Sequence, residues 1–277
     1  MGTHVATIKF TKMHGIGNDF VVIDCREHDV REIDDFARRL CDRHYGIGAD
    51  QVLMLYSSSV ADFYMAIFNA DGSEIEMCGN GIRCLAKYLV DHGITDKSEL
   101  EIETPAGIIR PKLIGEEVRV NMGAPILDGR NIPVNHDGQV IDFPLSVDGS
   151  EFKITAVSMG NPHCVIFVDD VDAFDLERFG PIFERHEFFP NRVNFEIVSV
   201  VNDREINMRV YERGAGETLA CGTGACASAV AAHLNKKTGK EVLVHLKGGD
   251  LKIEIADDGN IYMTGPAEEV FTGEINL

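Results

Sequence analysis

The chain contains no run of about 18 apolar residues, so no segment of it reads as a membrane span. Its seven cysteines, at 25, 41, 78, 84, 164, 221 and 226, include no Cys-x-x-Cys pair, which weakens zinc-ribbon and thioredoxin-like readings. Positive charge is scarce: 26 Lys and Arg stand against 45 Asp and Glu, a formal net charge of −19. Phosphate neutralisation needs clustered cations, so nucleic acid is a poor partner, and the acidity reads as solubility. The N-terminus lacks the charged-then-apolar order of a secretory signal. Ala6 stands where a myristoylation start needs Ser or Thr. These absences together predict a cytosolic chain without a membrane or nucleic-acid partner and without a disulfide framework.

What the chain does have is a repeated turn. Met77-Cys78-Gly79-Asn80-Gly81 and Ala220-Cys221-Gly222-Thr223-Gly224 each run into an apolar, helix-like segment, Ile82–Val90 and Ala225–Leu234. A cysteine at such a turn sits at a helix N-terminus, where unpaired N–H groups and the dipole favour thiolate and attract anions. The two cysteines are 143 positions apart. The same offset relates Asn18 to Asn161, Gln51 to Asn194, Asn69 to Glu212 and Glu74 to Glu217. An offset held across separate segments marks an internal duplication. The expectation is two copies of one domain, each giving one cysteine and matched polar residues to a shared cleft.

Along the chain, residues 5–24 read as two strands around a Gly-punctuated loop, Lys12–Asp19. Residues 32–44 carry the 3.6 period of an amphipathic helix, with Cys41 on its core face. Strands follow at 51–56 and 61–68, and a strand series spans 100–121. Gly123-Ala124-Pro125 is the expected boundary, giving domains 1–123 and 124–265, with 266–277 packing back on the first. The second half repeats the order: a strand to Met159, the loop Gly160–His163, a strand, a short helix around 172–179 and strands to Tyr211. Hairpins over 241–255 and 261–264 turn at Asp258-Gly259. The second helix has no formal charge apart from His233, so it is expected to be buried on nearly every side. The predicted class is α+β: two pseudo-symmetric domains, each a curved, mostly antiparallel sheet or barrel around a central apolar helix.

Four segments together resemble the diaminopimelate epimerase family. They are Met13-His14-Gly15-Ile16-Gly17-Asn18-Asp19-Phe20; Asn69–Ser73 leading to Cys78-Gly79-Asn80-Gly81-Ile82-Arg83-Cys84; Gly160-Asn161-Pro162-His163; and Glu212–Thr218 leading to Cys221-Gly222-Thr223-Gly224-Ala225-Cys226. The resemblance covers essentially the whole chain. It implies inversion of one α-carbon of LL-diaminopimelate to the meso form, without pyridoxal phosphate or any other cofactor and without a metal. Inversion of a carbon that bears hydrogen needs a base on one face and an acid on the other, and two cysteines on two domains supply both. By resemblance, His163 and Glu212 sit beside the thiols and tune their protonation. Asn18, Gln51, Asn69, Asn161, Asn194 and Arg213 hold the substrate, with Arg213 gripping its distal carboxylate. Backbone N–H groups of Gly79, Asn80, Gly222 and Thr223 stabilise the carbanion.

Cys84 and Cys226 lie one turn into their helices and read as packed thiols, and Cys25 and Cys164 as core residues in strands. Two other functions fit parts of the pattern. A proline racemase-like or phenazine-type isomerase would share the helix-end chemistry but has no evident use for Arg213. A cysteine-rich redox or metal-binding protein would bind metal or form titratable disulfides. The sequence leaves the oligomeric state open, a homodimer included.

Overall fold

The computed structural model describes residues 7–26 and 33–276. The chain divides into two compact units, Met1–Val120 with Gly265–Leu277, and Asn121–Thr264.

The first unit opens with strands β1 (Thr7–Gly15) and β2 (Asn18–Asp24). Only Ile16 and Gly17 turn the corner, with φ of 50° and 89°. Two positive φ values match the twist of a tight hairpin. A β-branched residue adopts that conformation under strain, and Ile16 is held there by a side chain buried to 4% exposure. Lys12–Gly15, expected in a loop, are therefore strand residues, because the turn needs only two positions. Helix α1 (Ile33–Cys41) buries Phe36, Ala37, Leu40 and Cys41, with Asp34 and Asp35 in its first turn and Arg38 and Arg39 in its last, as the helix dipole favours. Glu32, where the periodicity starts, lies outside the described residues. Strands β3 (Gln51–Tyr56), β4 (Phe63–Asn69) and β5 (Glu74–Ile75) lead to helix α2 (Gly79–Asp91). Four short strands follow: β6 (Ile102–Thr104), β7 (Gly107–Ile109), β8 (Lys112–Ile114) and β9 (Glu117–Asn121). The centres of β3 and β4, Val52–Leu55 and Met65–Phe68, are buried without alternation, so both faces of the sheet are covered there.

The second unit holds β10 (Phe143–Val147), β11 (Ser150–Ser158), β12 (Pro162–Phe167), helix α3 (Leu176–Glu184), β13 (Asn194–Asn202), β14 (Glu205–Glu212), β15 (Gly216–Thr218) and helix α4 (Gly222–Leu234). It ends with β16 (Glu241–Leu246), β17 (Gly249–Ile255) and β18 (Ile261–Pro266); the last strand, β19 (Glu268–Asn276), returns to the first unit. His163, expected in a loop, lies inside β12, and α3 starts and ends several residues later than the helix expected at 172–179. Asp175 caps α3 by accepting from the Arg178 N–H.

The fold is α+β, with two sheet-rich domains and four helices among the described residues. Adding 143 to the bounds of α1 and α2 gives the bounds of α3 and α4, and β3 starts 143 residues before β13. Strand order repeats as well. The first sheet runs β19-β1-β2-β3-β4-β6-β7; in the second, the run β11-β12-β13-β14-β16-β17 repeats the part from β1. In both, neighbours are mostly antiparallel, and the parallel pairs fall at matching places, β2–β3 and β4–β6 against β12–β13 and β14–β16. Helix α2 packs on β1, β2 and β3, and α4 on β11 through β14, β16 and β17. Helix α4 is buried at every position from Gly224 to Ala232, and its small side chains let the backbone lie close to the surrounding strands. Each sheet thus delivers the start of its buried helix, and the cysteine before it, to the polar ends of its strands.

Candidate active site

Cys78 is the N-cap of α2, with φ −139° and ψ 116°, and it is half-buried. Its thiol faces Asn18 Oδ1 at 3.8 Å, and Asn80 Nδ2 donates to the same oxygen at 3.2 Å. Asn18, the first residue after the strained turn, is fixed from its other end by donating to Asp50 Oδ2 at 2.9 Å. Asp19 beside it forms ion pairs with Lys12 at 2.6 Å and Arg43 at 2.8 Å. Burial alone would raise the Asp19 carboxyl, but bonds from Arg43 and Lys12 hold it far below the usual carboxylate range. Arg83, fully buried one turn into α2, donates to Asn80 Oδ1 at 2.9 Å and to the Pro266 carbonyl at 3.2 Å. Gln51 Nε2 donates to Asn69 Oδ1 at 2.9 Å, while Gln51 Oε1 is buried with no hydrogen-bond partner among the described residues. An unpaired buried acceptor costs about 1–3 kcal/mol, and a ligand N–H would recover it.

Cys221 is the N-cap of α4 in a similar conformation, with φ −128° and ψ 105°, and is 5% exposed. Its sulfur accepts the Gly224 N–H at 3.3 Å and lies 3.5 Å from Thr223 Oγ1. Asn161 Nδ2 donates to Thr223 Oγ1 at 3.3 Å, and Asn161 Oδ1 faces His163 Nε2 at 3.0 Å. The other ring nitrogen, His163 Nδ1, is 2.6 Å from Glu196 Oε1, with both side chains fully buried. Glu212 accepts from the Thr218 hydroxyl and lies near Cys221. Burial raises the Glu212 carboxyl, against the bond from Thr218. Asn194 joins two segments: its Nδ2 donates to the Pro162 carbonyl and its Oδ1 accepts the Arg213 N–H. The Arg213 guanidinium donates to the Asn191 carbonyl at 3.2 Å.

One expectation is corrected here. The helix end alone would favour thiolate at both cysteines. At Cys221 burial drives the thiol well above its usual value, and the carboxylates of Glu212 and Glu196 add to it, outweighing the bonds from Thr223 and Gly224. Cys221 rests as a thiol, with 5% of its surface exposed. His163 and Glu212 both belong to the unit that carries Cys221. The remaining cysteines are packed thiols: burial pushes Cys25 and Cys41 to about 11 and Cys84 to about 12, and raises Cys164 well above the usual value.

Within the first unit, Asn18, Cys78 and Asn80 share one hydrogen-bonded group and Gln51 and Asn69 another. Within the second, Asn161, His163, Thr223 and Cys221 form one chain, Glu212 lies near its Cys221 end, and Asn194 meets Arg213 through the latter's backbone. The residue that sequence reasoning missed is Glu196. Its signal was present as a lone acid inside the apolar run Phe195–Val198.

The family model for diaminopimelate epimerase matches residues 10–127 and 155–270. Proteins named diaminopimelate epimerase include relatives from Agathobacter rectalis, 53% identical over 98% of this chain and 100% of its own length, and Acetivibrio thermocellus, 50% identical over 98% and 99%. One from Methanococcus maripaludis is 47% identical over 98% of this chain and all of its own. Among solved structures, the fold is similar to a phenazine biosynthesis protein of the PhzF family from Bacillus anthracis, with a TM-score of 0.74 and 20% identity over 98% of this chain and 100% of that one. It is also similar to a hydroxyproline epimerase from Agrobacterium vitis, with a TM-score of 0.68 and 14% identity over 98% and 93%. Near-full-length matches at about half identity, on top of the paired cysteine-capped helices, place this chain in the diaminopimelate epimerase family, and the protein is an epimerase.

Proposed function

We propose that the protein interconverts LL- and meso-diaminopimelate by a two-cysteine acid–base reaction, with Cys78 and Cys221 on opposite faces of one α-carbon. The observation that carries this reading is the duplicated pair of cysteine-capped buried helices, at equivalent places in two units of one topology. Cys221, resting as a thiol, is suited to deliver a proton, which leaves Cys78 as the base. The developing carbanion spreads onto the substrate carboxylate. First-turn N–H groups of Gly79 and Asn80, and of Gly222 and Thr223, stabilise it as helix ends stabilise anions, a role supported by their places at the starts of α2 and α4. If each such donor contributes roughly 3 kcal/mol, a few account for a large share of the acceleration. Asn18, Gln51, Asn69, Asn161 and Asn194 supply the amides that hold the substrate, and Glu212 and His163 set protonation around Cys221. Arg213, whose guanidinium fork suits a carboxylate, takes the distal end.

The test is incubation with LL-diaminopimelate in deuterated water, reading stereochemistry and label together. The acid that reprotonates exchanges with solvent and is distinct from the base, so early product should carry α-deuterium while remaining substrate does not. Equal early labelling of both would mean one base serving both faces. Turnover of proline in place of diaminopimelate would move the reading to another isomerase.

A further inference from the structure

The two units give an internal comparison. Beneath the first turn of α2, a Cβ on Gly81 would lie 3.0 Å from Leu53 Cδ2 and 3.4 Å from Phe20 Cε1. Beneath the first turn of α4, a Cβ on Gly224 would lie 2.9 Å from Glu196 Oε1 and 3.2 Å from Cys221 Sγ. Phe20 and Leu53 stand 143 positions before His163 and Glu196. The same floor is therefore built from two apolar side chains under Cys78 and from a fully buried imidazole and carboxylate under Cys221. The fold does not need the polar pair, since its own other copy does without one. The pair is also poorly paid in bonds: Glu196 Oε2 finds no hydrogen-bond partner among the described residues.

The pair is joined to the cysteine. Glu196 Oε1 faces His163 Nδ1 at 2.6 Å, His163 Nε2 faces Asn161 Oδ1 at 3.0 Å, Asn161 donates to Thr223 at 3.3 Å, and Thr223 Oγ1 is 3.5 Å from the sulfur. We infer that Glu196 is a positioning residue that anchors this chain, fixing His163 and Asn161 so that Thr223 and the Cys221 sulfur keep one geometry and one protonation state. The inference rests on the assignment of Cys221 as the proton donor, and it extends that assignment to a residue that does not touch substrate. Glu196 Oε1 holds the His163 ring at Nδ1 and thereby fixes where Nε2 stands toward Asn161 Oδ1. From the elements packed on α4, the titratable groups around Cys221 are Glu212 on β14 and Glu196 on β13. His163 on β12 adjoins both, and the Glu196 charge also reaches the Cys164 thiol, which packs in the apolar core with Phe195 and Ile197.

The test compares alkylation of Cys221 and Cys78 by iodoacetamide across pH, read peptide by peptide, with Cys78 as the reference within each sample. Glu196→Gln should lower the Cys221 midpoint by roughly one pH unit, the scale set by one nearby like charge, and leave Cys78 unmoved. Glu196→Asp should return it toward the parent value. The double variant His163→Phe, Glu196→Leu copies the floor of the other unit; it should keep the parent melting temperature, show the same lowered midpoint and lose most of the epimerase activity. A Cys221 midpoint that stays put or rises in Glu196→Gln overturns the inference. Should these variants fail to fold, Thr223→Val leaves the buried pair in place but cuts the chain, so the ring nitrogen resonances of His163 should move. Unchanged resonances would overturn it equally. The alkylation midpoints, the melting temperature and the ring resonances need no diaminopimelate, so failure of the substrate assignment, seen in the parent enzyme alone, is distinct from failure here.

Discussion

Arg213 and Asn194 are tied backbone to side chain: the Arg213 N–H donates to Asn194 Oδ1 at 2.9 Å, while Asn194 Nδ2 donates to the Pro162 carbonyl at 3.0 Å. Asn194 thus fixes where the arginine leaves β14 and where β12 begins. Asn194→Ala removes both bonds at a buried position and leaves a donor and an acceptor unmet. A loss on the order of 2–4 kcal/mol in stability is expected, with KM for diaminopimelate raised. Thermal melts and steady-state kinetics check this; an unchanged melting temperature would show that the two bonds are dispensable.

Arg213→Lys separates charge from shape. Lysine can still reach a carbonyl such as that of Asn191, so stability should hold. It cannot form the planar fork that grips a carboxylate, and kcat/KM should fall by on the order of 2 kcal/mol. A variant within twofold of the parent would remove Arg213 from the substrate.

Gly81→Ala and Gly224→Ala should differ although they are equivalent in the repeat. At Gly81 the new methyl meets apolar atoms, Leu53 Cδ2 at 3.0 Å and Phe20 Cε1 at 3.4 Å, and a shift of a few tenths of an ångström relieves the contact without breaking a hydrogen bond. At Gly224 it meets Glu196 Oε1 at 2.9 Å and the Cys221 sulfur at 3.2 Å, and moving either disturbs the bond to His163 or the bond from the Gly224 N–H. Gly224→Ala should cost about 1–3 kcal/mol of stability by overpacking and most of the activity, while Gly81→Ala stays close to the parent. Equal effects at both positions, by melting temperature and kcat/KM, would remove the distinction between the two floors.

Alkaline stability should be set by buried thiols. Cys25 and Cys41 titrate near 11 and Cys84 near 12 in the folded protein, against an ordinary value of 9.0. Above pH 9 the unfolded chain releases these protons and the folded one keeps them, so the unfolded state gains and stability falls with rising pH. The loss should run from about pH 9 to 11–12, and Cys41→Ala should flatten it. Urea titrations between pH 8 and 11 with equal slopes for parent and variant would assign the loss to other groups.

The repeat was legible because it is written in residues that both copies share: the Cys-Gly-x-Gly turns and the Asn and Gln positions at strand ends. It hid what the copies do not share. Glu196 answers to Leu53 and His163 to Phe20, so a reading keyed to matched pairs passes over the first and reaches the second only through its neighbour Asn161. The helix expected around 172–179 lies instead at Leu176–Glu184, with Pro181 inside it. Carrying α1 forward by 143 residues would have placed it. The state of Cys221 depends on burial and on two carboxylates that its local motif does not contain, so no local reading of the turn could supply it.

The return of β19 to β1 sets an order of assembly. Thr7 pairs with Asn276, and the register runs from there to His14 and Glu268. Unit two is one continuous segment, so a ribosome delivers all of its strands before β19 emerges. The unit that begins first in synthesis must therefore finish last. Until then β1 waits with one edge unpaired, and a released chain truncated near residue 265 should expose that edge to chaperones although it holds the whole of its second unit.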